Sequence, residues 1–304
     1  MKILLLGQHG QVSRELQLLL NNPLRNVGEA AATQVVSEHE LIVLGREQLD
    51  LADTGRIREA VRHLRPELIV NAAAHTAVDA AESEPDAAFA INATAPGVLA
   101  EEAADLDVPL IHYSTDYVFD GSNPAAYHEE DTPNPLGVYG RSKLAGEQAI
   151  AAVGGKHLIL RTSWVYSLHG RNFLLTMQRL LQEREQLSVV ADQIGAPTWA
   201  GSIAAATQQL IERWQTERTE AWGLYHFTAR GETSWFGFAE AIAAQLRAQG
   251  KSVAHLTPIT TSDYPTPAQR PLNSRLDGTR LERDWGVRLP KWQDGLLECL
   301  GNPR

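Results

Sequence analysis

Five short apolar runs, KILLL, LIVL, ELIVN, VPLIHYS and HLILRT, recur through the first half of the chain, with longer amphipathic stretches between them. A parallel strand can follow another only through a crossover, and a helix is the usual one. The alternation therefore predicts an α/β chain whose parallel sheet is covered by helices on both faces. In such a doubly wound sheet, ligands sit at the carboxyl ends of the strands. The first run belongs to MKILLLGQHGQV, which stops at Gly7 and shows no small-residue cleavage pattern, so it reads as a buried strand and not a signal peptide. Nowhere do 18 apolar residues run together, so the expectation is a cytoplasmic protein with no membrane span.

The turn after that first strand is Gly7-Gln8-His9-Gly10-Gln11-Val12-Ser13. Glycines here let peptide N–H groups approach a pyrophosphate while the positive end of the next helix faces its charge. Gly7, Gly10, Gln11 and Val12 are thus candidate dinucleotide contacts in a Rossmann-type sheet, although glycines after a strand also make plain turns. Ser13 stands where the commonest fingerprint has its third glycine. After the second strand come Gly45 and Arg46, where an acidic residue would favour NADH. An arginine favours the 2′-phosphate of NADPH instead, unless it is a solvated surface charge. Asp50 and Leu51 precede a helix capped by Asp53; Asp50 either contacts the adenine or caps the turn.

The formal charge of −10 argues against a nucleic-acid binder, which needs a basic face. Cys299 is the only cysteine, which excludes an intramolecular disulfide, and none of the ten histidines has another four residues away.

The stretch VYGRSKLAGE puts Tyr139 and Lys143 on one face of a predicted helix. With 7 Tyr and 5 Lys in 304 residues, chance supplies about 0.1 such pairs, so spacing alone is only a hypothesis. Its company is more specific. NAAAHTAVDAAESEP, INATAP, YSTDYVFDG, RTSWVY, DQIGAPT and RPLNSRL stand in order along the chain. Together these motifs resemble the extended short-chain dehydrogenase/reductase superfamily and, within it, the dTDP-4-dehydrorhamnose reductase family. Two departures stand out: Ala80 where that family usually has lysine, and a segment from Asn22 to Ser37 that reads as an insertion.

The resemblance implies reduction of a 4-keto nucleotide sugar by NADPH, with NADH left open. A ketone that accepts hydride also needs a proton on its oxygen. Tyr139 is the candidate acid, and the cationic head of Lys143 is expected to lower its pKa and to hold the nicotinamide ribose. Thr115, at the end of the fourth strand, either assists at the same oxygen or bonds its own backbone. Asp116 either bonds sugar hydroxyls or caps the turn. Ala74, His75 and Thr76 are expected beside the cofactor, although close packing explains Ala72 to Ala74 equally well. Trp164 either packs on the sugar or belongs to the core, and Arg270 and Arg275 are candidates for the diphosphate. Some family members dimerise through magnesium, for which Glu15 is a candidate ligand, so the chain is expected to be a monomer or homodimer. The implied organisation is a dinucleotide domain over 1–165, its sheet completed by strands near 187–191 and 224–228, and a smaller substrate-binding lobe over 166–304. Related epimerases and dehydratases recycle the hydride on a retained NAD. Dehydratases usually carry an acidic pair after the threonine, whereas here Asp116 is followed by Tyr117. Regulatory binding subunits related to the reductase are a further alternative, disfavoured by the intact Thr115, Tyr139 and Lys143.

Overall fold

The computed structural model describes residues 1–21, 39–217 and 220–301, so the apparent insertion from Asn22 to Ser37 lies outside the described residues. The strands are β1 (Lys2–Leu6), β2 (Glu40–Leu44), β3 (Leu68–Asn71), β4 (Leu110–Thr115), β5 (His157–Thr162), β6 (Val165–Tyr166), β7 (Gln186–Val190), β8 (Ile194–Gly195), β9 (Thr198–Trp199), β10 (Gly223–His226), β11 (Thr233–Ser234) and β12 (His255–Ile259). The helices are α1 (Gln11–Leu20), α2 (Thr54–Leu64), α3 (Val78–Ala81), α4 (Pro85–Phe89), α5 (Ala95–Asp105), α6 (Val138–Val153), α7 (Phe173–Glu183), α8 (Ala200–Glu217), α9 (Trp235–Ala248), α10 (Thr279–Trp285) and α11 (Trp292–Gly301). No described helix is long and apolar enough to cross a membrane.

Six strands form one parallel sheet in the order β10-β5-β4-β3-β1-β2. Its order reverses between β1 and β3, so the loops leaving these two strands open a crevice at the carboxyl edge. Side chains alternate across each strand. Ile3 and Leu5 of β1 meet Leu16 of α1 and Ile203 and Leu210 of α8 on one face. Leu4 and Leu6 meet Ile57 of α2, Leu99 of α5 and Ile150 of α6 on the other. All are almost fully buried, each contributing about 1.5–3 kcal/mol.

A second core gathers Tyr166, Leu174, Leu181, Phe238, Ile242 and Trp292. Here β7 overturns the expectation that the run near 187–191 completes the large sheet: it pairs in parallel with β12 instead. Leu187 and Val189 are buried in the second core, whereas Gln186 and Ser188 are exposed. Such one-sided alternation does not suit a strand covered on both faces. The run near 224–228 does supply β10, beside β5 at the edge of the large sheet. Residues on both sides of position 166 share the first core, because Tyr225, Phe227, Leu281 and Trp285 pack there.

Helix α6 carries Tyr139 and Lys143. It starts after the extended Gly137 and stops at Gly154, which takes φ +73°. Between them, Gly140 and Gly146 let the helix lie directly on its neighbours. A Cβ at either would come within 2.1 Å of a backbone oxygen, that of Tyr117 or of Asn92.

Candidate active site

A cavity of about 730 Å³ opens at the carboxyl edge of the sheet, and its lining draws on the loops after β1, β2, β3, β4 and β5 and on α6. Gly7, at φ +98°, forms the tight turn; a Cβ there would meet Ala73 N at 2.8 Å. Gly10 caps α1 with an extended backbone and no side chain over the first-turn N–H groups. A helix N-terminus so exposed suits an anion. Gln11 and Val12 also line the cavity, and Gln11 Oε1 accepts from Ser167 Oγ at 3.0 Å and Asn172 Nδ2 at 2.8 Å. The first turn is thereby tied to the segment that leads into α7.

Arg46 lines the cavity with its side chain 84% exposed, 3.5 Å from the Asp50 carboxylate. Asp50 also accepts the Ala52 N–H at 3.0 Å, so the turn-capping geometry is present as well. Leu51 is buried beside it, and Asp53 caps α2 by accepting from Arg56 N at 3.0 Å. Ala74 and Thr76 line the cavity, whereas His75 does not. Asn92 holds the His75 backbone, accepting its N–H at 2.8 Å and donating to its carbonyl at 3.1 Å. It also donates to Ser142 Oγ at 3.0 Å, and that hydroxyl donates to the Tyr139 carbonyl at 2.8 Å. A π-helical turn over Ala90–Thr94 thus links the loop after β3 to the start of α6.

Thr115, Tyr139 and Lys143 come together in the lining. Thr115 Oγ1 accepts the Tyr117 N–H at 3.2 Å and donates to Asp116 Oδ1 at 3.0 Å. A backbone N–H two residues on is therefore one of its partners, and assistance to a ketone requires the hydroxyl to turn from Asp116. Burial raises the Asp116 pKa to about 6, opposed by hydrogen bonds from Ser274 and Thr115. Tyr139 departs from expectation. Burial pushes its phenol up to about 12, opposed by a hydrogen bond with Thr115. Lys143 Nζ donates to the Tyr113 carbonyl at 2.7 Å and lies 3.0 Å from His112 Nε2. Burial draws this lysine down to about 8, against the attraction of Glu147. The phenol is consequently held protonated, the form a proton donor needs.

Trp164 lies just past β5, half-buried in the cavity wall and outside the buried cores. Arg270 and Arg275 are not in the lining. Arg270 pairs with Asp79 at 2.9 Å and lies over the Tyr117 ring, while Arg275 pairs with Glu232 at 3.0 Å. Glu15 is buried on α1, and among the described residues no group of three or more His, Cys, Asp or Glu is placed to hold a metal.

The family model described as the RmlD substrate binding domain matches residues 1–304. The dTDP-4-dehydrorhamnose reductase of Salmonella typhimurium is 45% identical over 302 residues, 99% of this chain and 97% of that protein. The protein of the same name from Burkholderia thailandensis is 44% identical over 307 residues, 99% of this chain and 98% of its own. The chain belongs to the dTDP-4-dehydrorhamnose reductase (RmlD) family. Among solved RmlD-family structures, that of the Bacillus anthracis reductase in complex with NADP superimposes with a TM-score of 0.87 at 34% identity, covering 98% of each chain.

Several lining residues of this RmlD-family chain escape the sequence reading. Tyr117 packs edge-on against Tyr139, with ring centroids 5.5 Å apart. Arg171 and Asn172 enter the cavity wall from the loop before α7. Asn172 had a readable signal, since it precedes an amphipathic run and caps α7 by accepting from Leu175 N at 3.1 Å. Arg171 had none.

Proposed function

We propose that the chain reduces the 4-keto group of dTDP-4-dehydro-L-rhamnose with NADPH, giving dTDP-L-rhamnose. One observation carries the reading: in a chain of the RmlD family, Thr115, Tyr139 and Lys143 converge on a cavity that begins at an uncapped helix N-terminus. The residues fit the cofactor. The Gly7 turn leaves space that a Cβ would fill, and the first turn of α1, with no side-chain cap, would hold the pyrophosphate. Arg46 would hold the 2′-phosphate, and Asp50, Leu51, Ala74 and Thr76, which line the same cavity, would contact the cofactor. NADPH supplies the hydride when bound.

Tyr139 gives its proton to the carbonyl oxygen as negative charge develops there, and Thr115 orients that oxygen. Lys143 holds the nicotinamide ribose. Trp164 offers an apolar plate to the deoxysugar and Asp116 an acceptor to its hydroxyls. Arg270 or Arg275 contributes to diphosphate binding only if its pair with Asp79 or Glu232 opens. Purified protein, NADPH and a panel of nucleotide-linked 4-keto sugars test the reading. NADPH oxidation with the dTDP-linked 6-deoxy sugar supports it, and turnover without NADPH consumption contradicts it.

A further inference from the structure

Two buried side chains behind Lys143, His112 and Asn71, have no part in the reaction as described. They are partners in the β3–β4 register. Asn71 Oδ1 accepts the Ala73 N–H at 3.2 Å. A backbone N–H is only ever a donor, so this bond orients the amide and leaves Nδ2 to donate to His112 Nδ1 at 3.1 Å. The acceptor nitrogen of His112 is therefore Nδ1. A neutral imidazole has one N–H, which then sits on Nε2 and faces Lys143 Nζ at 3.0 Å. An ammonium has three donors and no acceptor, whereas an amine has a lone pair.

We propose that His112, oriented by Asn71, is a positioning residue for Lys143: the N–H it presents to Nζ favours the uncharged amine in the cofactor-free enzyme, making Lys143 a switchable cation instead of a permanent one. The proposal rests on the reading of Lys143 given above. An ammonium at this place would require the other tautomer. His112 Nδ1–H would then face Asn71 Nδ2, or the amide would turn and set Nδ2 against the Ala73 N–H. In both cases one buried donor meets another.

The surrounding charges leave this preference in place. Glu147, one turn along α6, attracts the cation, but Arg161 holds its two oxygens at 2.9 and 2.7 Å and Ser114 donates to it as well. Tyr139 is kept neutral by burial, and burial also raises Asp116 at the end of β4. His112 is itself held neutral, its pKa well below the ordinary value because burial penalises the charge, and a cationic Lys143 would only lower it further. As an amine, Lys143 still donates to the Tyr113 carbonyl at 2.7 Å.

Nitrogen-15 NMR of the full-length, cofactor-free protein labelled at histidine, recorded above the Lys143 pKa of about 8, decides the matter, because the two ring nitrogens resonate differently in each neutral tautomer. The His112 signal is the one lost in His112→Gln. The expected form carries its proton on Nε2; a proton on Nδ1, or an imidazolium, overturns the proposal. Asn71→Asp keeps an acceptor for Ala73 and offers a second to Nδ1–H, so the tautomer should switch and the Lys143 Cε resonance should titrate at least about one pH unit higher. A merely structural role would leave the tautomer unchanged, and an unchanged tautomer overturns the proposal. The switch also identifies His112 if His112→Gln does not fold. An inactive wild-type protein with Nε2–H would defeat the reductase reading alone, and an active reductase with Nδ1–H would defeat this proposal alone.

Discussion

The indoles of Trp164 and Trp235 stack with centroids 3.6 Å apart and planes 7° from parallel, while the Trp164 backbone takes φ +48°. A bulky residue in the left-handed region costs on the order of 1–2 kcal/mol, and the stack, worth about 0.5–1.5 kcal/mol beyond burial, helps offset it. Trp235 is anchored in turn, donating from Nε1 to Gln193 Oε1 at 3.1 Å. Trp164 is thus a wall residue held in one place.

Gly195 tests that placement. A Cβ there would lie 2.6 Å from Trp164 Cε2, and the stacked indole has little room to retreat. Gly195→Ala should raise KM for the nucleotide sugar about tenfold, or ~1.4 kcal/mol, and leave NADPH affinity unchanged. Steady-state kinetics with both substrates check this, and an unchanged sugar KM would remove Trp164 from the binding site.

Arg46 is the proposed reader of the cofactor's 2′-phosphate. Arg46→Ala should weaken NADPH by about 1.5–3 kcal/mol and barely alter NADH. Calorimetric titration with each cofactor distinguishes this from equal loss, which would show that the arginine reads something else.

Asp116 connects the site to pH. Its folded pKa is raised to about 6 by burial, so its stabilising contribution is fully present below the unfolded value near 3.9 and is lost as pH rises through about 6. Asparagine mimics the protonated form without the titration. The stability of Asp116→Asn relative to the wild type should rise between pH 4 and pH 7 by up to about 3 kcal/mol. Denaturant melts at several pH values measure it, and a difference independent of pH would show that Asp116 does not titrate in this range.

Tyr139→Phe removes the proton donor and keeps the ring that packs on Tyr117. It should fold normally and bind NADPH, with turnover lower by about two to four powers of ten. Near-normal turnover would mean that another group supplies the proton.

The large sheet was legible because its strands are continuous apolar runs, a pattern that burial on both faces produces. The same rule, applied without regard to alternation, misplaced β7: Ser188 between Leu187 and Val189 already marks a strand with one dry face. Thr115, Tyr139 and Lys143 were readable because their spacing coincides with a strand end and a helix start. Their electrostatics were not, since the Lys143 partners, Tyr113 and His112, come from β4 and only packing brings them to Nζ. Arg270 and Arg275 show the converse. An arginine in a motif carries no sign of the carboxylate that will pair with it, and Asp79 and Glu232 are distant in sequence.

The central claim is net hydride transfer from NADPH to C4 of the sugar. NADPH carrying deuterium at the transferred position, mixed with dTDP-4-dehydro-L-rhamnose and the purified protein, tests it directly by mass spectrometry and NMR of the sugar product. The expected result is dTDP-L-rhamnose with deuterium at C4, in an amount equal to the NADPH oxidised. Product formed without deuterium, or NADPH left unconsumed with the substrate present, would contradict it.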